Sequence, residues 1–89
     1  MERFDGKVVA ITGGGSGMGK TTCRMFAENG AIVCPIDVNE KGALQTESEI
    51  LAAGGKAKAY AADITDEVRM AEVFADIYNT FGRIDILYN

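Results

Sequence analysis

The stretch TGGGSGMGKTT, residues 12–22, follows an apolar run and opens a helical pattern. Its glycines allow two interpretations. Residues 14–21 match G-x-x-x-x-G-K-[ST], the loop that holds the phosphates of ATP or GTP. Residues 13–19 match G-x-x-x-G-x-G, a glycine pattern that carries a dinucleotide. Both loops place phosphate at the N-terminus of a helix, where backbone N–H groups are free. The flanking sequence must therefore decide between them.

The residues around this loop predict alternating strands and helices. Residues 7–12 form an apolar, β-branched run typical of a strand. Residues 31–37, the weaker alanine-rich residues 56–62 and a run beginning at residue 83 predict three more strands. Three helical patterns lie between them. The order βαβαβαβ with short connections predicts an α/β, Rossmann-like, doubly wound parallel sheet with strand order 3-2-1-4. Because proline cannot donate to a sheet ladder, we expect either a bulge at Pro35 or a position near the end of the strand.

Each helical pattern has a start or stop signal and an apolar stripe. We expect Asn39 to cap the second helix and Thr65 the third, and Gly30 to end the first. The residues expected to face the core, helix by helix, are Met18, Thr22, Met25 and Phe26; Ala43, Leu44, Ile50 and Leu51; and Met70, Phe74, Ile77, Tyr78 and Phe81.

The composition excludes several classes of protein. The chain has 89 residues and a net charge of −4 without a basic cluster, which argues for one domain at most and against a nucleic-acid surface. It has no histidine, and its two cysteines lack metal-site spacing, so we expect reduced core thiols and no metal site. The apolar runs are strand-sized and no leader pattern is present. We therefore expect a cytoplasmic protein with no nucleic-acid or membrane partner.

The phosphate-loop interpretation would place Lys20 on the β- and γ-phosphates and Thr21 on Mg²⁺. It also needs an aspartate after a later strand, where Asp37 and Asp63 are candidates by position alone. So short a pattern occurs by chance in glycine-rich loops. If this interpretation is wrong, Lys20 is a solvated helix residue.

The dinucleotide interpretation explains more of the chain. Gly13 allows the tight turn after the strand, Gly17 allows close approach of a pyrophosphate, and Gly19 allows close helix packing. A carboxylate that accepts hydrogen bonds from the adenosine ribose is then expected about 20 residues further on, at the end of the second strand. Asp37 stands there.

Three segments resemble the short-chain dehydrogenase/reductase family. Residues 12–19 resemble its T-G-x-x-x-G-x-G motif, residues 63–66, DITD, resemble its D-[VI]-T-D segment, and residues 82–89, GRIDILYN, resemble the strand leading into its N-N-A-G motif. The resemblance covers nearly the whole chain in the correct order. It implies NAD as cofactor and an alcohol or carbonyl compound as substrate. The cofactor-binding residues that it implies are Gly13, Ser16, Gly17, Met18, Gly19, Asp37, Val38, Asp63, Ile64 and Asn89.

The resemblance also implies what lies outside these residues. Family members have about 250 residues and use a serine and a Tyr-x-x-x-Lys pair beyond the position of Asn89. We therefore expect residues 1–89 to be the N-terminal part of a single NAD-binding domain, truncated before the catalytic segment, with no catalytic residue of its own. The complete enzyme is expected to be a homo-oligomer, a dimer or a tetramer. The alternative is a non-catalytic nucleotide-binding or interaction module.

Overall fold

A computed structural model describes residues 3–89, within which strands and helices alternate along the chain. The elements are β1 (Val8–Thr12), α1 (Gly17–Glu28), β2 (Ile32–Asp37), α2 (Glu40–Ala52), β3 (Lys56–Ala57), β4 (Tyr60–Ala61), α3 (Glu67–Phe81) and β5 (Ile86–Tyr88). All strand pairs are parallel, in the order β3-β2-β1-β5, with β4 also paired to β2. Since β3 and β4 together occupy the third predicted strand, the predicted fold class and strand order are confirmed.

Pro35 lies inside β2, in continuous register with Ile11 of β1. The register of β2 with β1 contains no bulge at this position, and Pro35 lies two residues before the last residue of β2, near the strand end. The proline instead interrupts the neighbouring strand. On that side of β2, Val33 O accepts a hydrogen bond from Lys58 N at 3.0 Å, and Asp37 O accepts one from Ala62 N at 3.1 Å. Pro35 lies between these two positions and has no N–H to donate, so the third strand is divided into β3 and β4.

The sheet has an apolar core on each face, because successive side chains of a strand point to opposite sides. One core joins Val8, Ala10, Cys34 and Ile36 to Val73 and Ile77 of α3. The other joins Val9, Ile11 and Val33 to Cys23 of α1 and Ile50 of α2. Both cysteines are buried with free thiols, as expected. Burial raises the pKa of each thiol to about 12.

Of the two N-cap residues expected from the sequence, one is confirmed and the other is wrong. The Asn39 side chain accepts a hydrogen bond from the first turn of α2, as expected. Helix α3 is capped by Asp66, so the prediction of Thr65 as the cap was wrong. The reason is local, since the Thr65 hydroxyl donates to Asp63 Oδ1 at 2.7 Å.

The apolar stripes are narrower than the periodicity predicts. On α2 the buried residues are Gly42, Ala43, Thr46 and Ile50. Expected core residues that are exposed instead are Met18, Met25, Leu44, Leu51 and Tyr78. Across residues 3–89, no helix has the length and apolarity that a membrane span requires.

Candidate functional site

The loop between β1 and α1 depends on two glycines with left-handed backbone. Gly13 has φ of +69° and Gly17 has φ of +56°, values that side chains other than glycine rarely adopt. A Cβ added at either position would meet nothing within 4 Å. These glycines are therefore required by the backbone turn, and the space beside them is open.

The other glycines of the loop are required by close packing. A Cβ at Gly19 would lie 1.8 Å from Gly13 O, so only glycine lets α1 begin this close to the loop. A Cβ at Gly14 would lie 2.8 Å from Pro35 Cβ, and one at Gly15 would lie 2.7 Å from Asp37 Oδ2. The loop is thus packed between the start of α1 and the end of β2.

Helix α1 presents its N-terminus at this loop. Among residues 3–89, Ser16 occupies the N-cap position of α1, yet its side chain makes no capping hydrogen bond, and the first turn has no acidic residue. Free N–H groups and the positive end of the helix dipole together favour an anion. The loop can therefore hold a phosphate group at the backbone of Gly17, Met18 and Gly19.

Lys20 does not point into the loop. Its Nζ lies 2.5 Å from Glu49 Oε2 on α2, and its side chain is only 24% exposed. The expectation of a freely solvated Lys20 was therefore wrong. Helix α1 already begins at Gly17, so the second half of the pattern in residues 14–21 is helical. Both observations argue against the phosphate-loop interpretation.

The Asp37 carboxylate is oriented by two backbone groups at the end of β2. Its Oδ2 accepts a hydrogen bond from Gly15 N at 2.9 Å, and its Oδ1 accepts one from Asn39 N at 3.0 Å. The side chain is half-buried. A carboxylate oxygen has a second lone pair, so Asp37 can hold the loop and still accept from a ligand hydroxyl. The adjacent Val38 is 73% exposed.

Asp63 and Ile64 follow β4, and Asn89 follows β5. The Thr65 N–H, and secondly the Thr65 hydroxyl, donate to Asp63 Oδ1 and lower the pKa of the Asp63 carboxyl. Ile64 is exposed. Asn89 Oδ1 lies 3.2 Å from Thr12 Oγ1, which ties the ends of β5 and β1 together.

All the predicted site residues therefore lie at or just beyond the carboxyl ends of parallel strands. The loop follows β1, Asp37 and Val38 end β2, Asp63 and Ile64 follow β4, and Asn89 follows β5. In open α/β sheets this is the edge at which ligands bind.

The family model described as short chain dehydrogenase matches residues 7–89. The chain belongs to this family. An uncharacterized oxidoreductase of Thermotoga maritima is 42% identical over 86 residues, which are 97% of this chain and 34% of that protein. The chain thus spans about a third of the length of this relative.

Two solved structures of the family show the same fold. A hydroxysteroid dehydrogenase from Escherichia coli has a TM-score of 0.91 at 38% identity, over 96% of this chain and 36% of that one. A 3-ketoacyl-(acyl-carrier-protein) reductase from Brucella melitensis, complexed with NADH, has a TM-score of 0.86 at 39% identity, over 94% of this chain and 33% of that one. The similarity confirms the family to which the sequence motifs pointed.

Sequence reasoning missed one residue that contacts the glycine loop of the candidate site. Thr46 of α2 is completely buried, and its hydroxyl donates to Gly14 O at 2.7 Å. The signal was present in the spacing, because Thr46 follows Ala43 by three positions and precedes Ile50 by four, on the face that packs on the sheet.

Proposed function

We propose that residues 1–89 are the N-terminal part of a single NAD-binding domain and hold the adenosine and pyrophosphate portion of NAD(H). The observation that carries the proposal is the uncapped start of α1 beside an oriented Asp37 carboxylate, joined by the 2.9 Å hydrogen bond from Gly15 N to Asp37 Oδ2. An anion-binding helix end and a hydroxyl acceptor on one sheet edge suit a phosphate linked to a ribose.

The chemistry of this edge fits each portion of the cofactor. The pyrophosphate would lie on the backbone of Gly13, Ser16, Gly17, Met18 and Gly19. Asp37 would accept from the ribose hydroxyls. Val38 and Ile64, both exposed apolar side chains, would flank the adenine, beside Asp63. Asn89, which directly follows β5, would also lie beside the cofactor.

The same residues support NAD rather than NADP. The 2′-phosphate of NADP would bring about two negative charges towards the Asp37 carboxylate. Ser16 and Val38, the two places from which a basic side chain would offset this charge, are uncharged. Lys20, the nearby cation on α1, is engaged by Glu49.

The complete protein would transfer a hydride between NAD(H) and a small alcohol or carbonyl substrate. When bound, the nicotinamide supplies the acceptor or donor of the hydride. In the oxidising direction the alcohol loses a hydride from carbon and a proton from oxygen, and the carbonyl compound is released. Neither Tyr60 nor Tyr78 is followed four positions later by lysine, so we assign the transfer of the proton to residues outside 1–89. We place this enzyme in the cytoplasm as a homo-oligomer.

Isothermal titration with NADH, ADP-ribose and Mg-ATP tests the proposal. We expect NADH and ADP-ribose to bind and Lys20→Ala to change their affinity less than about threefold, the size of an exposed ion-pair effect. Glu49→Gln is the matched control, since it breaks the same ion pair and keeps the lysine. Tight Mg-ATP binding that is lost in Lys20→Ala but kept in Glu49→Gln would overturn the proposal in favour of a phosphate loop.

A further inference from the structure

The middle of the glycine loop is held by residues of the β2–α2 segment that lie far away in sequence. Thr46 Oγ1 lies 2.7 Å from Gly14 O and 3.2 Å from Gly42 O. A hydroxyl has one proton to donate, and the shorter distance assigns it to Gly14. Gly14 and Thr46 are both buried, so water cannot replace this hydrogen bond.

Two further contacts fix the next peptide group. Gly15 N donates to Asp37 Oδ2 at 2.9 Å, and a Cβ added at Gly42 would lie 2.8 Å from Gly15 O. The first turn of α2 thus packs directly on the loop backbone. The Gly14–Gly15 segment is restrained from both sides, and the first turn of α1 begins two residues later, at Gly17.

From these contacts we infer that Thr46 is a positioning residue of the cofactor site: its buried hydroxyl holds the Gly14 carbonyl and thereby sets the backbone that receives the pyrophosphate. The inference rests on the proposed function. Because Thr46 is completely buried, it would act on the cofactor through the loop backbone and not by direct contact. A loop that is ordered before binding loses less conformational freedom on binding, which increases affinity.

The test uses Thr46→Val, which keeps the shape and removes the hydroxyl, together with Thr46→Ser, which restores it. Thr80→Val is the matched control, because it makes the same substitution on α3, where Thr80 is exposed and its hydroxyl makes a long 3.5 Å contact with Asp76. We expect Thr46→Val to weaken NADH and ADP-ribose binding about tenfold. Adenosine, which lacks the pyrophosphate, should bind to Thr46→Val as tightly as to the wild type. Thr46→Ser should recover most of the lost affinity for NADH and ADP-ribose.

Amide hydrogen exchange without ligand gives an independent measurement. Exchange of the amides of residues 13–19 should accelerate in Thr46→Val and stay unchanged in Thr80→Val. If Thr46→Val does not fold, Gly42→Ala disturbs the neighbouring contact of α2 with Gly15 O while keeping the Thr46 hydroxyl, and it should weaken the binding of NADH but not that of adenosine. The inference alone would be overturned if Thr46→Val bound NADH with wild-type affinity, or if it lost affinity for NADH and for adenosine equally. Absence of NADH and ADP-ribose binding in the wild type would overturn the proposed function and the inference with it.

Discussion

Replacing Asp37 with serine and Val38 with arginine is expected to erode or invert the preference between NADH and NADPH. In the wild type, ribose hydroxyls would make charge-assisted hydrogen bonds to Asp37, each worth about 1.5–3 kcal/mol. A 2′-phosphate would instead meet the carboxylate, and at an effective dielectric near 20 the repulsion is several kcal/mol before relaxation. We therefore expect the wild type to prefer NADH by at least about 100-fold, or about 2.7 kcal/mol.

The contacts of Asp37 add a second consequence to this substitution. Both carboxylate oxygens accept backbone N–H groups, from Gly15 and from Asn39. The serine side chain is shorter and has one acceptor oxygen in place of two, so the double variant should also lose about 1–3 kcal/mol of folding free energy. Val38→Arg alone keeps both hydrogen bonds. It should improve NADPH binding without changing the midpoint of urea unfolding.

Fluorescence titration of the complete protein with NADH and NADPH, at low and high salt, measures the effect. The discrimination should shrink at high salt, because the repulsion is screened where the site is open to solvent. Equal affinity of the wild type for the two cofactors would show that Asp37 does not face the ribose. A double variant with unchanged selectivity would refute the role of this carboxylate.

Four further outcomes are expected. Gly19→Ala should weaken NADH binding by roughly tenfold or more, about 1.4 kcal/mol, because its Cβ would lie 1.8 Å from Gly13 O; a wild-type Kd for this variant would contradict the close packing at Gly19. Gly13→Ala would meet no atom within 4 Å, but the residue has φ of +69°, so this variant should lose about 1–2 kcal/mol of stability through backbone strain. Because the folded chain holds the thiol protons of Cys23 and Cys34 up to about pH 12 and the unfolded chain releases them near pH 9.0, the free energy of unfolding should fall as pH rises through that window. Urea unfolding should show a shallower fall in the Cys23→Ala, Cys34→Ala variant, and equal slopes would argue against buried thiols. The 89-residue chain alone should not oxidise NADH with any carbonyl compound above a blank, since a placed general acid contributes about 10²–10⁴-fold; measurable turnover would refute this.

The element order and the sheet class could be predicted because their signals are local. The runs VVAIT and IVCPID read as strands, and parallel pairing follows from the short helical connections between successive strands. The cap at Asn39 and the positive φ of Gly30 depend on residues that are neighbours in sequence. The glycine pattern and the position of Asp37 likewise indicated the candidate site, although its ten predicted binding residues remain a prediction.

The features that the sequence did not determine depend on contacts between distant residues. The division of the third strand requires knowing that the missing N–H of Pro35 points to that strand and not to β1. Leu44 and Leu51 have the helical spacing of core residues, but the α2 stripe that packs on the sheet runs through Ala43, Thr46 and Ile50. Periodicity defines an apolar face only to within about one residue in each turn.

At the site, sequence alone determined the kinds of groups present, and the tertiary structure decided their partners. Lys20 matches a phosphate-binding lysine by pattern, and only the packing of α1 on α2 pairs it with Glu49. The hydrogen bond from Gly15 to Asp37 spans 22 positions, and the one from Thr46 to Gly14 spans 32. A hydroxyl or a carboxylate can take many partners, and its choice is set by which backbone groups the folded sheet brings within about 3 Å and away from water.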